Sequence, residues 1–179
     1  MIVASGLGLG PWDVFHQGIS QRTGISLGWV VVGVGLLLLL LWIPLRQRPG
    51  LGTISNAIVV GLIIDLTLLF LTRPGSLAGR VGLLLGGVLV NGIATGLYIG
   101  AGLGPGPRDG LMTGLAARGH SIRLVRTTIE LSVLAVGWWL GGTVGVGTLV
   151  YALAIGPLAH YFIPLLAVDQ PGAAEGDAR

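Results

Sequence analysis

The sequence predicts an all-α, polytopic helical membrane protein with five spans, arranged as two inverted three-span units of which the first lacks its opening helix. Three observations lead there. Of 179 residues, 53% are hydrophobic and only 9% charged, with a mean hydropathy of +0.88, whereas a soluble domain carries about 25% charged residues. The apolar residues gather into five runs, each near the ~20 residues a helix needs to cross a bilayer. The chain also repeats itself at a steady offset, as Gly18 to Gly114, Arg22 to Arg118 and Gly61 to Gly156 illustrate.

Composition narrows the class further. Glycine is 33 of 179 residues, cysteine is absent, and all ten basic residues are arginines. Such a chain is neither a disordered tail, nor a disulfide scaffold, nor a thiolate metal site. The net charge of +3 is scattered among apolar runs, which is not a phosphate-binding face, so nucleic acid is not expected as a partner.

Taken in order, the chain opens on Gly6-Leu-Gly-Leu-Gly-Pro-Trp-Asp13 and a stretch to Arg22. That stretch groups Val14, Phe15, Gly18 and Ile19 on one side. It is about three turns of amphipathic helix, too short to span. Spans follow at Leu27–Leu45 and Thr53–Leu71, joined by Arg46-Gln47-Arg48-Pro49-Gly50. After Thr72-Arg73-Pro74-Gly75 comes a third span, Val81–Ala101. Gly100-Ala-Gly-Leu-Gly-Pro-Gly-Pro-Arg-Asp109 then repeats the opening loop, and Asp109–Arg118 repeats the short helix. Leu124–Leu140 and Val146–Leu166 complete the set. Trp29 and Trp42 near the ends of the first span, and Trp138 and Trp139 near one end of the fourth, suit interfacial belts; the latter two could equally pack between helices.

The units run over residues 1–72 and 81–166, with a polar tail at 167–179. Three crossings per unit set the copies upside down relative to each other, an architecture of many secondary transporters that also occurs in channels and in proteins without transport. Arg46, Arg48, Arg108, Arg118, Arg123, Arg126 and Arg179 would share one side, and Arg22, Arg73 and Arg80 the other. The richer side is expected to be cytoplasmic, placing the C-terminus inside and Met1 outside. An outside Met1 and the incomplete first unit together lead us to expect a further helix upstream, or Met1 as an internal start.

Two segments, Gly8-Leu-Gly-Pro-Trp-Asp-Val-Phe-His-Gln-Gly18 and Trp42-Ile-Pro-Leu-Arg-Gln-Arg-Pro-Gly-Leu-Gly-Thr53, resemble the bacterial YczE/YyaS/YitT-like integral membrane proteins. The resemblance covers nearly the whole chain. It implies a multi-pass protein of the cytoplasmic membrane with undefined biochemical activity, usually bearing one more N-terminal helix.

Several residues are candidates for a substrate or ion path. Asp13, with His16 on the same short helix, and Asp109 stand where two half-helices could aim their N-termini at a ligand; alternatively each carboxylate satisfies helix-start N–H groups. Asp65 lies among Ile63, Ile64 and Leu66, where an unpaired carboxylate costs several kcal/mol. Its counterpart by the offset is His160, and the two could form a proton-responsive pair. They could also fix helix packing for about 0.6 kcal/mol each, or Asp65 could sit near the outer interface. Asn91, Thr95 and Tyr98 give the third span a polar strip. Arg126 and Glu130 are spaced for an ion pair, either structural or a gate. Gly92, Gly96 and Gly100, like Gly137, Gly141 and Gly145, recur at four-residue spacing and predict close helix contacts.

The expected function is therefore a small-solute or ion transporter or channel with a site between the repeats. The alternative is a non-transporting accessory or scaffold protein. No catalytic motif, cofactor site or metal site is predicted. Expected partners are the lipid bilayer, a small ion or solute, and a second copy of the chain. Arginines and helix N-termini point to an anion, whereas the aspartates point to a cation or protons.

Overall fold

Eight helices connected by short loops make up the described part of the molecule, a computed structural model covering residues 1–167. They are α1 (Ile2–Ser5), α2 (Pro11–Thr23), α3 (Leu27–Leu45), α4 (Leu51–Phe70), α5 (Leu77–Gly100), α6 (Pro107–Ala116), α7 (Ile122–Trp139) and α8 (Val146–Leu166). The polar tail from Val168 onward, with Arg179, lies outside the described residues.

Four helices, α3, α4, α5 and α8, are long and apolar enough to cross a membrane. The fifth expected span corresponds to α7, which is 18 residues long. Arg123, Arg126 and Glu130 in its first half set it apart from the other four, because each ionised group in hydrocarbon needs a partner or water. The third span starts at Leu77 rather than Val81. Ser76 Oγ accepts from Gly79 N at 3.2 Å and caps α5 there. Arg80 thereby falls inside α5, and its guanidinium donates to Ser5 O (2.7 Å) and Gly6 O (2.8 Å). Those carbonyls end α1 and would otherwise lack partners.

Packing follows the small residues. Along α5, Gly92 faces Leu158, Gly96 faces Phe162 and Gly100 faces Leu166 O, each closer than a side chain would allow. The stripe read from the sequence is thus the α5–α8 contact. The second stripe needs correction. Gly137 does meet the backbone of Phe15 on α2, but Gly141 has φ +104° in the turn after α7, and Gly145 starts α8. A turn interposed in the four-residue spacing ends the shared helix face. Trp42 also departs from expectation. It is 1% exposed, donates from Nε1 to Pro107 O at 3.1 Å and lies against Gly110 of α6. An indole N–H with a backbone carbonyl to bond has no need of the interface. Trp29, Trp138 and Trp139 are exposed.

The core lies where α2, α3, α6 and α7 meet. Trp12, Leu38 and Met112 are buried there, bordered by Val34, Leu111, Val125, Ile129 and Val133. Around it, the outward faces of the long helices carry Leu37, Leu40, Leu69, Phe70 and Leu153 in the open, as helices facing lipid do.

Residues matched by the sequence offset make matching contacts. Gly50 N donates to Thr53 Oγ1 at 3.2 Å, and Gly145 N donates to Thr148 Oγ1 at the same distance. Gly52 N donates to Leu103 O (3.1 Å), as Gly147 N does to Leu7 O (2.8 Å). Each Gly-Leu-Gly-Pro loop therefore docks on the start of the last helix in the other half of the chain. Gly8 and Gly104 turn these loops with φ of +118° and +108°, a region that side chains disfavour.

Candidate functional site

The two loops deliver two short helices that start alike. A glycine precedes each, proline fills the first position of α2 and α6, and an aspartate follows in the first turn. Proline there gives up no hydrogen bond, and an acid suits the positive end of the helix. Neither aspartate accepts a helix-start N–H among the described residues. Each reaches instead for a side chain.

Asp13 faces His16 and Arg108. Asp13 Oδ1 stands 3.8 Å from His16 Nδ1 and 3.8 Å from Arg108 Nη2, and Arg108 Nη2 stands 3.4 Å from His16 Nδ1. Because Asp13 and His16 belong to the first two turns of α2 and Arg108 to the first turn of α6, the cluster joins the starts of both short helices. The guanidinium also lies over the Trp12 ring, 5.3 Å from its centroid, a favourable cation–π placement. His16 is 1% exposed, while Asp13 and Arg108 keep about a third of their surface.

The electrostatics follow from that burial. Burial and the Arg108 charge push the His16 imidazole below its ordinary value, against the pull of Asp13. The ring is then neutral near pH 7, and its Nδ1 faces both groups, donating to Asp13 in one tautomer and accepting from Arg108 in the other. Burial drives the Asp13 carboxyl up, but His16 and the Arg108 guanidinium outweigh it and hold Asp13 below the ordinary carboxylate value. The junction thus holds one anion, one cation and one neutral base. Beside it, the buried Trp12 Nε1 has no hydrogen-bond partner among the described residues.

Asp109 is arranged differently. Its Oδ2 accepts from the Tyr98 hydroxyl of α5. It also lines a cavity of about 490 Å³ with Ile99, Pro105, Met112, Ile122 and Arg126. A smaller cavity of about 250 Å³ lies by the start of α2, with Pro11, Glu130, Leu134 and Thr148 among its walls. Arg126 Nε donates to Glu130 Oε1 at 2.9 Å, so one ion pair on α7 contributes to both cavities.

The remaining candidates are dispersed. Asn91 Nδ2 donates to Tyr151 Oη at 2.9 Å, tying α5 to α8, and the Tyr151 ring abuts Gly10 ahead of α2. Thr95 Oγ1 turns back to Asn91 O. Asp65 lies outside the junction. It accepts from Gly28 N at 2.6 Å and from Ser26 Oγ, satisfying the start of α3 from the neighbouring helix α4. His160 is exposed on α8 and shares no hydrogen bond with Asp65. Sequence reasoning placed Arg108 only as an orientation marker. Its available signal was position: it stands immediately before the repeated aspartate, in the first turn of a helix.

Residues 1–164 match a family described as "Family of unknown function (DUF6198)". A Haemophilus influenzae protein titled "Uncharacterized protein" is 43% identical over 168 residues, covering 93% of this chain and 77% of the relative. The Bacillus subtilis "Uncharacterized membrane protein YczE" is 32% identical over 165 residues, covering 91% and 77%. Its "Uncharacterized protein YyaS" is 29% identical over 173 residues, covering 93% and 85%. No solved structure matches the chain. Apolar helices of spanning length and a membrane-protein relative together make the chain a multi-pass membrane protein.

Proposed function

The chain belongs to the DUF6198 family, and from that premise we propose that it moves a small solute or ion across the cytoplasmic membrane. The path runs through the junction of α2 and α6, between two oppositely inserted units, with the C-terminus inside. One observation carries this reading: the N-terminal parts of two non-spanning helices, one from each half, bring Asp13, His16 and Arg108 together. Charged groups within a membrane protein are costly and commonly mark substrate or ion pathways. Helix starts directed at a shared site between repeats are a recurring transporter device. The reading is non-enzymatic.

Reconstitution into liposomes tests it. Uptake of labelled amino acids, sodium, potassium and chloride is compared between wild type, Arg108→Gln and protein-free vesicles. Transport predicts uptake of at least one solute by wild type, reduced about tenfold or more in the folded variant. If well-folded wild type moves none of them faster than protein-free vesicles, the scaffold reading takes its place.

A further inference from the structure

Anion and cation hints stand unreconciled in the sequence, but the larger cavity puts one group of each sign on its wall. Asp109 comes from α6 and Arg126 from α7, while Ile99, Met112 and Ile122 supply apolar surface between them. The protein uses each charged group only in part. Asp109 Oδ2 takes the Tyr98 hydroxyl, and Oδ1 has no hydrogen bond among the described residues. Arg126 gives its Nε to Glu130, and its two terminal amino groups have no partner among the described residues. Glu130 itself belongs to the wall of the other cavity.

A bare cation would answer Asp109 and leave the Arg126 donors idle, and a bare anion would do the reverse. Arg126 keeps its charge paired with Glu130 and is exposed, so what it offers is free N–H donors. Asp109 has no cation partner among the described residues, and a carboxylate left so in a membrane protein is costly. A molecule bearing both an ammonium and a carboxylate serves both groups and adds no net charge. The planar guanidinium fork suits a carboxylate in particular. The volume of about 490 Å³ falls within the range of small-molecule sites.

We propose that this cavity binds a small zwitterion of the amino-acid class, with its ammonium on Asp109, its carboxylate on Arg126 and an apolar side chain against Ile99, Met112 and Ile122. The inference rests on the solute-binding reading above and goes beyond it by assigning a ligand class and a second locus.

The test is direct binding to the purified full chain, followed by calorimetry and thermal shift near neutral pH. Three probes share one apolar body: leucine, leucinamide with only the ammonium, and N-acetylleucine with only the carboxylate. Leucine is expected to bind at least about tenfold more tightly than either derivative. Asp109→Asn and Arg126→Gln should each weaken leucine binding by a similar factor. The probe comparison uses the unaltered protein, so it stands even where a variant fails to fold. Leucinamide or N-acetylleucine binding as well as leucine would overturn the proposal, as would no leucine binding at millimolar concentration. Selective leucine binding without vesicle uptake would uphold this site and count against transport. Uptake of another solute with no leucine binding would uphold transport and sink this proposal.

Discussion

Asp13 and Asp109 occupy equivalent places in two similar loop-and-helix units, yet their surroundings differ. Asp13 is enclosed by partners from both short helices, a cation on one side and a neutral imidazole on the other. Asp109 has one hydroxyl partner and otherwise faces a cavity. The same local sequence thus builds one balanced junction and one open, chemically available wall. Repetition fixes where a charge is delivered, and the neighbours decide whether it is consumed in structure or left for a ligand.

The loops beneath the two aspartates should show the largest effect when broken. A Cβ on Gly8 would lie 2.7 Å from Gly145 N and 2.9 Å from Thr148 N, both backbone atoms, with φ at +118°. On Gly104 it would meet Thr53 Oγ1 at 2.8 Å, but backbone only at 3.3 Å, with φ at +108°. Both Gly8→Ala and Gly104→Ala should destabilise by about 2–4 kcal/mol from strain and overpacking. Gly8→Ala should be the worse, because two backbone atoms stand within 2.9 Å of its Cβ, whereas at Gly104 the backbone begins at 3.3 Å. Denaturant titration in detergent measures the order; equal costs would mean that the two loops are held alike.

A smaller effect separates the junction from the cavity wall. Arg108→Gln leaves Asp13 and His16 without their cation and should cost about 1–2 kcal/mol, discounted for the partial exposure of the pair. It should also change the pH profile. His16 has a depressed value in the folded protein, so the unfolded chain takes up the proton first as pH falls below the ordinary value of 6.5. Stability therefore declines from there until the folded imidazole itself protonates. The depressed Asp13 carboxyl acts lower, its contribution complete above 3.8 and lost as pH falls through the folded value. Melting midpoints between about pH 8 and 5 should drop in wild type and stay flatter in His16→Gln. Removing Arg108 should ease protonation of His16 and shrink the same decline.

The smallest effect concerns Asp65, which the sequence offers as a path residue and whose carboxylate, carried on α4, bonds the start of α3. Asp65→Asn should cost about 1 kcal/mol, as for a weakened helix cap, and leave vesicle uptake unchanged. A loss of uptake at wild-type stability would move Asp65 back into the path.

Local physics made much of this legible from the chain alone. Hydropathy and length located the long helices, since a helix in lipid satisfies its backbone internally and needs only apolar side chains. The Gly-Pro loops announced two short helices, and Gly92, Gly96 and Gly100 announced a close contact, because small residues one turn apart share a face. Partners were another matter. Arg108 beside Asp13, Ser26 and Gly28 on Asp65, and the Trp42 indole on Pro107 O join residues 95, 39, 37 and 65 positions apart. Periodicity reports which face a residue occupies but not which helix lies opposite. That choice belongs to the packing of the whole bundle, and only the tertiary structure could decide which charges neutralise one another and which remain turned toward a cavity.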